Sequence, residues 1–114
     1  MAVHLIFVYG TLKKNGKATA FVHGDLFDLW HFPGAQNVGN ETAPWIRGQV
    51  IVVDDLELRQ LDRYEGVPKL YTREKILIFD EIKNPLCIGW IYQYAGEQNG
   101  RRCPDGEWHK GIIY

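Results

Sequence analysis

Asp54-Asp55-Leu56-Glu57-Leu58-Arg59-Gln60-Leu61-Asp62-Arg63-Tyr64-Glu65-Gly66-Val67-Pro68 reads as a helix with both ends written into it. Asp54 and Glu57 stand three apart, the spacing of a capping box with aspartate in the cap role. Leu58, Leu61 and Tyr64 recur on one helical face. Gly66 suits the residue just past a helix, and Pro68 prevents continuation. The spacing therefore predicts a helix of about ten residues ending at Glu65.

On both sides the pattern changes to strands. Val3 to Tyr9 is β-branched and aromatic, and apolar on both faces from Leu5 onward. That predicts a central strand, ended by Gly10. Lys13 to Gly16 is a polar turn, and Lys17 to His23 fits either a short helix or an irregular connection. Gly24 to Trp30 alternates Leu26, Phe27 and Leu29 with Asp25 and Asp28, as a strand does. His31 to Trp45 holds Pro33, Gly34, Gly39, Asn40 and Pro44, and reads as a long loop with a short extended piece. Loops of that length in a small domain are often functional. Ile46 to Val53 is a strand with Gly48 as a bulge. Tyr71 to Phe79 is a strand, Asp80 to Pro85 a turn and Leu86 to Tyr94 a strand. Gly96 to Gly111 is a polar, turn-rich tail. Several strands, one clear helix and long connections predict an α+β domain built around a curled, barrel-like sheet.

With 114 residues, the chain is expected to be one domain spanning 1–114. Its 46% apolar content, with four Trp, six Tyr and five Phe, supplies a core and excludes a disordered chain. The net charge of −1 excludes a global attraction for nucleic acid or an anionic membrane. The opening residues lack the basic region of a signal peptide, and no apolar run approaches the roughly 20 residues that span a bilayer. Cys87 and Cys103 have no CxxC spacing and fit the reduced thiols of a cytoplasmic protein. His4, His23, His31 and His109 are scattered, so no metal site is expected.

Two short segments carry possible chemistry. In Tyr9-Gly10-Thr11-Leu12, glycine permits positive φ values that aim several N–H groups at one point, a nest for a carboxylate or phosphate. The Thr11 hydroxyl and Tyr9 phenol would add hydrogen bonds. The plainer alternative is a turn after a strand, and the spacing does not make a phosphate-binding P-loop. Glu65, at the negative pole of a helix, has its ionised form disfavoured, and burial beside aromatics would add to that. Such a glutamate both takes and returns a proton. Arg63, Lys69 and Arg73 would oppose the shift if close, and an ordinary exposed acid at a helix end is the alternative reading. The chain has no serine, which excludes a serine nucleophile. Cys87 reads as inert core. Cys103 has a basic surround in Arg101, Arg102 and His109 that would lower a thiol pKa. Arg101-Arg102 with Trp108 reads as a solvated tail rather than a nucleic-acid contact.

Phe7-Val8-Tyr9-Gly10-Thr11-Leu12-Lys13 and Leu61-Asp62-Arg63-Tyr64-Glu65-Gly66-Val67-Pro68-Lys69-Leu70-Tyr71-Thr72-Arg73 together resemble the γ-glutamylcyclotransferase-like family, closest to its γ-glutamylamine cyclotransferase branch. Gly24 to Leu29, Arg47 to Val50, Gly89 to Tyr92 and Pro104 to Trp108 are weaker echoes in the family's order. The resemblance implies a small mixed β-barrel with one prominent helix and long loops. It implies a γ-glutamyl amide as small-molecule substrate, converted to 5-oxoproline and a free amine without metal or cofactor. Carried across by position, Glu65 is the catalytic acid/base, and Tyr9, Gly10, Thr11 and Leu12 hold the glutamyl group, chiefly through main-chain N–H groups. Tyr71 follows closely enough to reach the same pocket, either packing it or contacting the substrate. Asn15 to His23 has no clear counterpart, and His31 to Trp45 has only a loose one. The implied partners include no nucleic acid and no membrane, and the oligomeric state is left open. A different reading is a non-catalytic module that binds a small anionic metabolite in the same pocket. A third is an interaction domain using the aromatic tail around Trp108 and Tyr114.

Overall fold

The computed structural model describes residues 2–10, 19–30, 32–97 and 100–108. Along the chain these form β1 (Val3–Val8), β2 (Ala20–His23), β3 (Asp25–Asp28), β4 (Pro33–Gln36), β5 (Trp45–Asp54), α1 (Asp55–Tyr64), β6 (Tyr71–Phe79), β7 (Pro85–Tyr94) and β8 (Arg101–Arg102). The fold is α+β.

The doubly apolar first strand is central, as its pattern predicts. β1 pairs antiparallel with β5 on one side and parallel with β7 on the other. Following the ladders from β1 through β5, β2, β6 and β7 leads back to β1. A ring of five strands cannot alternate direction all the way round, so one pair must be parallel, and β1–β7 is that pair. β4, β3 and β8 extend the sheet beyond β7. The strand alternation of β1 then serves two cores. Phe7 joins Val22, Ile46, Ile76, Ile78 and Ile91 in one cluster. Ile6 and Val8, on the opposite face, join Val53, Leu58, Tyr71 and Tyr92 in another.

The short extended piece expected between His31 and Trp45 is Pro33–Gln36, which is β4, paired antiparallel with β3 and parallel with β7 at Ala35–Gln93. Pro33 is its first residue, a position that tolerates a missing N–H. The undecided stretch ending at His23 includes β2, paired with β5 and β6. Gly48 is not a bulge: the β2 ladder pairs it with Ala20, the β1 ladder takes over at Gln49, and neither ladder shifts register. A Cβ there would stand 2.4 Å from the Val8 carbonyl oxygen and 2.6 Å from the Phe7 ring, so glycine is what lets the strands approach.

The helix begins and ends where the sequence predicts. The Asp54 carboxylate accepts from the Glu57 N–H at 2.8 Å, and the Glu57 carboxylate accepts from the Asp54 N–H at 3.0 Å. Leu58 is buried against β1 and β5, docking the helix on the outside of the ring. Tyr64 departs from the expected buried face: it is 67% exposed, because the last turn overhangs a cavity rather than the sheet.

Candidate functional site

The end of α1 sets the position of Glu65. The Glu65 N–H donates to the Leu61 carbonyl at 2.8 Å, so the helical ladder reaches it. Gly66 then takes a φ of +68°, a conformation that only glycine adopts cheaply, and the Gly66 and Val67 N–H groups turn back to the Arg63 and Asp62 carbonyls. The chain reverses, Leu70 N–H bonds the Gly66 carbonyl, and β6 starts at Tyr71. Five residues therefore separate Glu65 from Tyr71, yet both face one cavity.

That cavity measures about 170 Å³. Phe7, Val8, Tyr9, Tyr71 and Tyr92, all buried, form its floor. Gly10, Phe32, Pro33, Tyr64, Glu65 and Leu70 form its walls and mouth. The bend after β1 and the glutamate after α1 thus converge as expected. Of the residues singled out from sequence, Tyr9, Gly10, Glu65 and Tyr71 line this one pocket. Thr11 and Leu12 lie outside the described residues.

Gly10 serves differently from expectation. Its φ is not in the left-handed region, whereas a Cβ on it would meet the Pro33 ring at 2.8 Å. Close packing of the bend against β4 is what requires glycine there. The Tyr9 hydroxyl donates to the Tyr92 carbonyl and accepts from the Ala35 N–H at 3.2 Å. The Tyr71 hydroxyl donates to the Pro33 carbonyl at 2.5 Å. Both phenols are occupied in fastening β1, β4, β6 and β7 together, so each meets the cavity with its ring.

Glu65 is the only charged side chain among the described residues that line the pocket. Burial pushes its carboxyl up to about 7 from an ordinary 4.5. Of the three cations that would oppose this if close, Arg73 is turned to Asp62, with Nε and Nη2 on its two oxygens at 2.8 and 3.0 Å. Burial also raises Tyr9, Tyr71 and Tyr92, and the charge of Glu65 adds to each, so all three phenols lie within its electrostatic reach. A carboxyl that titrates near neutrality, among neutral phenols in a small cavity, can take a proton and return it. Among the described residues no cluster of three or more His, Cys, Asp or Glu is arranged to hold a metal ion.

The sequence did not single out Phe32, Pro33, Tyr64, Leu70 or Tyr92 for this site. Tyr64 and Leu70 flank Glu65 and Tyr71, so adjacency was an available signal. Phe32, Pro33 and Tyr92 arrive through the pairings of β4 and β7. The cysteine reading also changes. Cys103 is buried in the first core cluster rather than presented on a basic tail. Burial raises the Cys87 thiol.

The model of the family described as gamma-glutamyl cyclotransferase, AIG2-like, matches residues 6–110. A Vibrio cholerae protein provisionally named as a gamma-glutamylcyclotransferase is 35% identical over 104 residues, covering 80% of this chain and 82% of that protein. Among solved structures, an AIG2-like protein from Mus musculus superposes with a TM-score of 0.65 at 21% identity, covering 87% of this chain and 82% of its own. A protein from Arabidopsis thaliana gives 0.69 at 23% identity, covering 95% and 78%. YkqA from Bacillus subtilis gives 0.72 at 23% identity over 94% of this chain, which spans only 40% of YkqA's length. At these identities the structures speak for the fold. With the matched sequence model and the Vibrio relative, they lead to one statement: the chain belongs to the gamma-glutamyl cyclotransferase, AIG2-like family.

Proposed function

We propose that the protein converts a γ-glutamyl amide of an amine to 5-oxoproline and the free amine, with Glu65 as the acid/base. One observation carries this reading: the sole charged group among the described lining residues is a carboxyl held near neutrality inside the cavity at the end of β1. The glutamyl unit fits the floor, with its α-carboxylate toward the bend that starts at Gly10. Thr11 and Leu12 follow Gly10 in sequence and are proposed to complete the cradle, while Tyr9 and Tyr71 face it from the floor.

The chemistry needs little more than a base and a shape. The ionised Glu65 carboxylate takes a proton from the substrate's α-ammonium. The freed amine attacks the side-chain carbonyl carbon five atoms round the same molecule, forming the new C–N bond. Because nucleophile and electrophile belong to one molecule, holding it curled supplies much of the rate. Protonated Glu65 then gives its proton to the departing nitrogen, and the old C–N bond breaks. The attacking nitrogen gives up a second proton as the lactam forms, and the regenerated carboxylate receives it. That proton passes from Glu65 to the free amine, which leaves as an ammonium, so the carboxylate is restored and atoms and charge balance. Neither Cys87 nor Cys103 is in a disulfide, which suits the reducing cytoplasm in which we place this reaction.

The test is mass spectrometry on γ-glutamyl amides incubated with wild type and Glu65→Gln. Lactam and amine are expected from wild type alone. A ligand that stabilises the protein against heat but is recovered intact points instead to a binding module.

A further inference from the structure

A second cavity shares none of its lining residues with the first. It measures about 380 Å³, within the roughly 300–1,000 Å³ of small-molecule sites. Phe21, Leu26 and Cys103, all buried, give it an apolar floor beside the half-buried Trp45. Its rim is cationic. Arg47 reaches it from β5, Lys83 from the turn between β6 and β7, and Arg102 from β8. Asp105 is the one acid among the described lining residues.

Two of these cations are drawn together without a counter-ion. The Lys83 ammonium lies over the Phe21 ring at 4.6 Å, and the Arg47 guanidinium lies 5.6 Å from the same ring. Among the described residues neither is ion-paired. Like charges held near each other repel, and one anion between them relieves both. The three cations are also oriented. Arg47 Nε donates to the Asp105 carbonyl at 3.1 Å. Arg102 Nη1 is on Asp25 at 2.6 Å, with its guanidinium over the Phe27 ring. Lys83 has a φ of +63°, at a turn position where glycine or asparagine is the cheap choice. Its N–H closes that turn on the Asp80 carbonyl, a role any residue but proline fills. The turn itself therefore gives no reason for a lysine, whereas the cavity does.

The geometry points to a binding site for a small phosphate monoester with a flat apolar body, its phosphate on Arg47, Lys83 and Arg102 and its body on Phe21, Leu26 and Trp45. A phosphate monoester brings three terminal oxygens and a charge of about −1.5 to −2 at pH 7. Guanidinium forks match those oxygens in pairs. A carboxylate, with a single charge, leaves part of the rim unanswered, and inorganic phosphate leaves the apolar floor wet. This site is separate from the glutamyl pocket and does not rest on the cyclotransferase reading.

The experiment is calorimetric titration of the full chain in low-salt buffer with phenyl phosphate, inorganic phosphate, benzoate and phenol, with amide chemical shifts locating the bound molecule. Phenyl phosphate is expected to bind about tenfold more tightly than inorganic phosphate or benzoate, phenol weakest, and added salt should weaken the phosphate ester. The shifts are expected on Phe21, Trp45, Arg47, Lys83 and Arg102. Arg47→Gln should weaken binding about tenfold. Lys83→Asn should weaken it as much with little change in melting temperature, because asparagine is at ease in the left-handed backbone. No binding of phenyl phosphate, shifts centred on Tyr9, Gly10, Glu65 and Tyr71, or an affinity that survives both substitutions overturns the inference. Inorganic phosphate or benzoate binding as tightly as phenyl phosphate also overturns it, since the floor or the rim then selects nothing.

Discussion

Asp62 and Glu65 stand one helical turn apart at the end of α1, and their carboxylates have opposite surroundings. Asp62 takes two hydrogen bonds from Arg73 and a third from the Tyr92 hydroxyl at 2.8 Å. Arg73 is itself laid over the Trp90 ring at 4.2 Å. Glu65 enters the cavity without a hydrogen-bond donor to its carboxylate among the described residues, and burial holds its proton to about pH 7. The contrast separates two uses of an acid. Saturated with donors, a carboxylate becomes a fastener, here tying the helix to β6 and β7. Starved of donors and partly desolvated, it becomes a proton carrier. The first use serves the second, since the fastener fixes the helix turn from which Glu65 projects.

The largest expected effect breaks the carrier. Glu65→Gln should lower kcat by about a thousandfold, roughly 4 kcal/mol, within the range for a positioned acid/base, while ligand affinity survives. Discontinuous assays of 5-oxoproline and calorimetry on the same variant measure the two arms. Next comes the fastener. Asp62→Ala leaves Arg73 without its partner and should cost about 2–3 kcal/mol of stability in urea unfolding. A loss near zero would reduce the Asp62–Arg73 pair to a surface ornament.

A smaller effect has an unusual sign. The folded pKa of Glu65 lies above its unfolded value of about 4.5, so between that pH and about 7 the folded protein binds a proton that the unfolded chain releases. Stability from this group is therefore present below about pH 4.5 and is lost as pH rises through about 7. Glu65→Gln should be more stable than wild type above pH 7 by ~1–2 kcal/mol, a figure discounted for the solvent that still reaches the carboxylate. The gap should close below about pH 4.5. Thermal melts across that range check it. The smallest effect sharpens the fastener: Tyr92→Phe removes one of three donors and should cost about 1 kcal/mol.

Local signals were the legible part of this contrast. The capping box, Gly66 and Pro68 placed the helix, and the apolar run of β1 gave a central strand, because caps and alternation are written within a few residues. The meeting of Tyr9, Gly10 and Glu65 in one cavity was also legible, though through family resemblance rather than spacing. Non-local features were not. Nothing in Asp62-Arg63-Tyr64-Glu65 says which acid Arg73 will choose; the β6–β7 register decides it by setting Arg73 opposite Tyr92. An extended piece was legible between His31 and Trp45, but only pairing with β3 and β7 fixes it at Pro33–Gln36 and makes Pro33 a pocket wall. Tyr64 continues the apolar period of the helix, yet the sheet beneath it has ended.

The pH dependence of kcat/KM for lactam release from γ-glutamylbutylamide tests the central claim most directly. A carboxylate base buried in the cavity gives an acid limb rising through a midpoint of about 7, and no limb at all in Glu65→Gln. A midpoint near the ordinary 4.5, or turnover in the variant that stays near the wild-type rate, would contradict it.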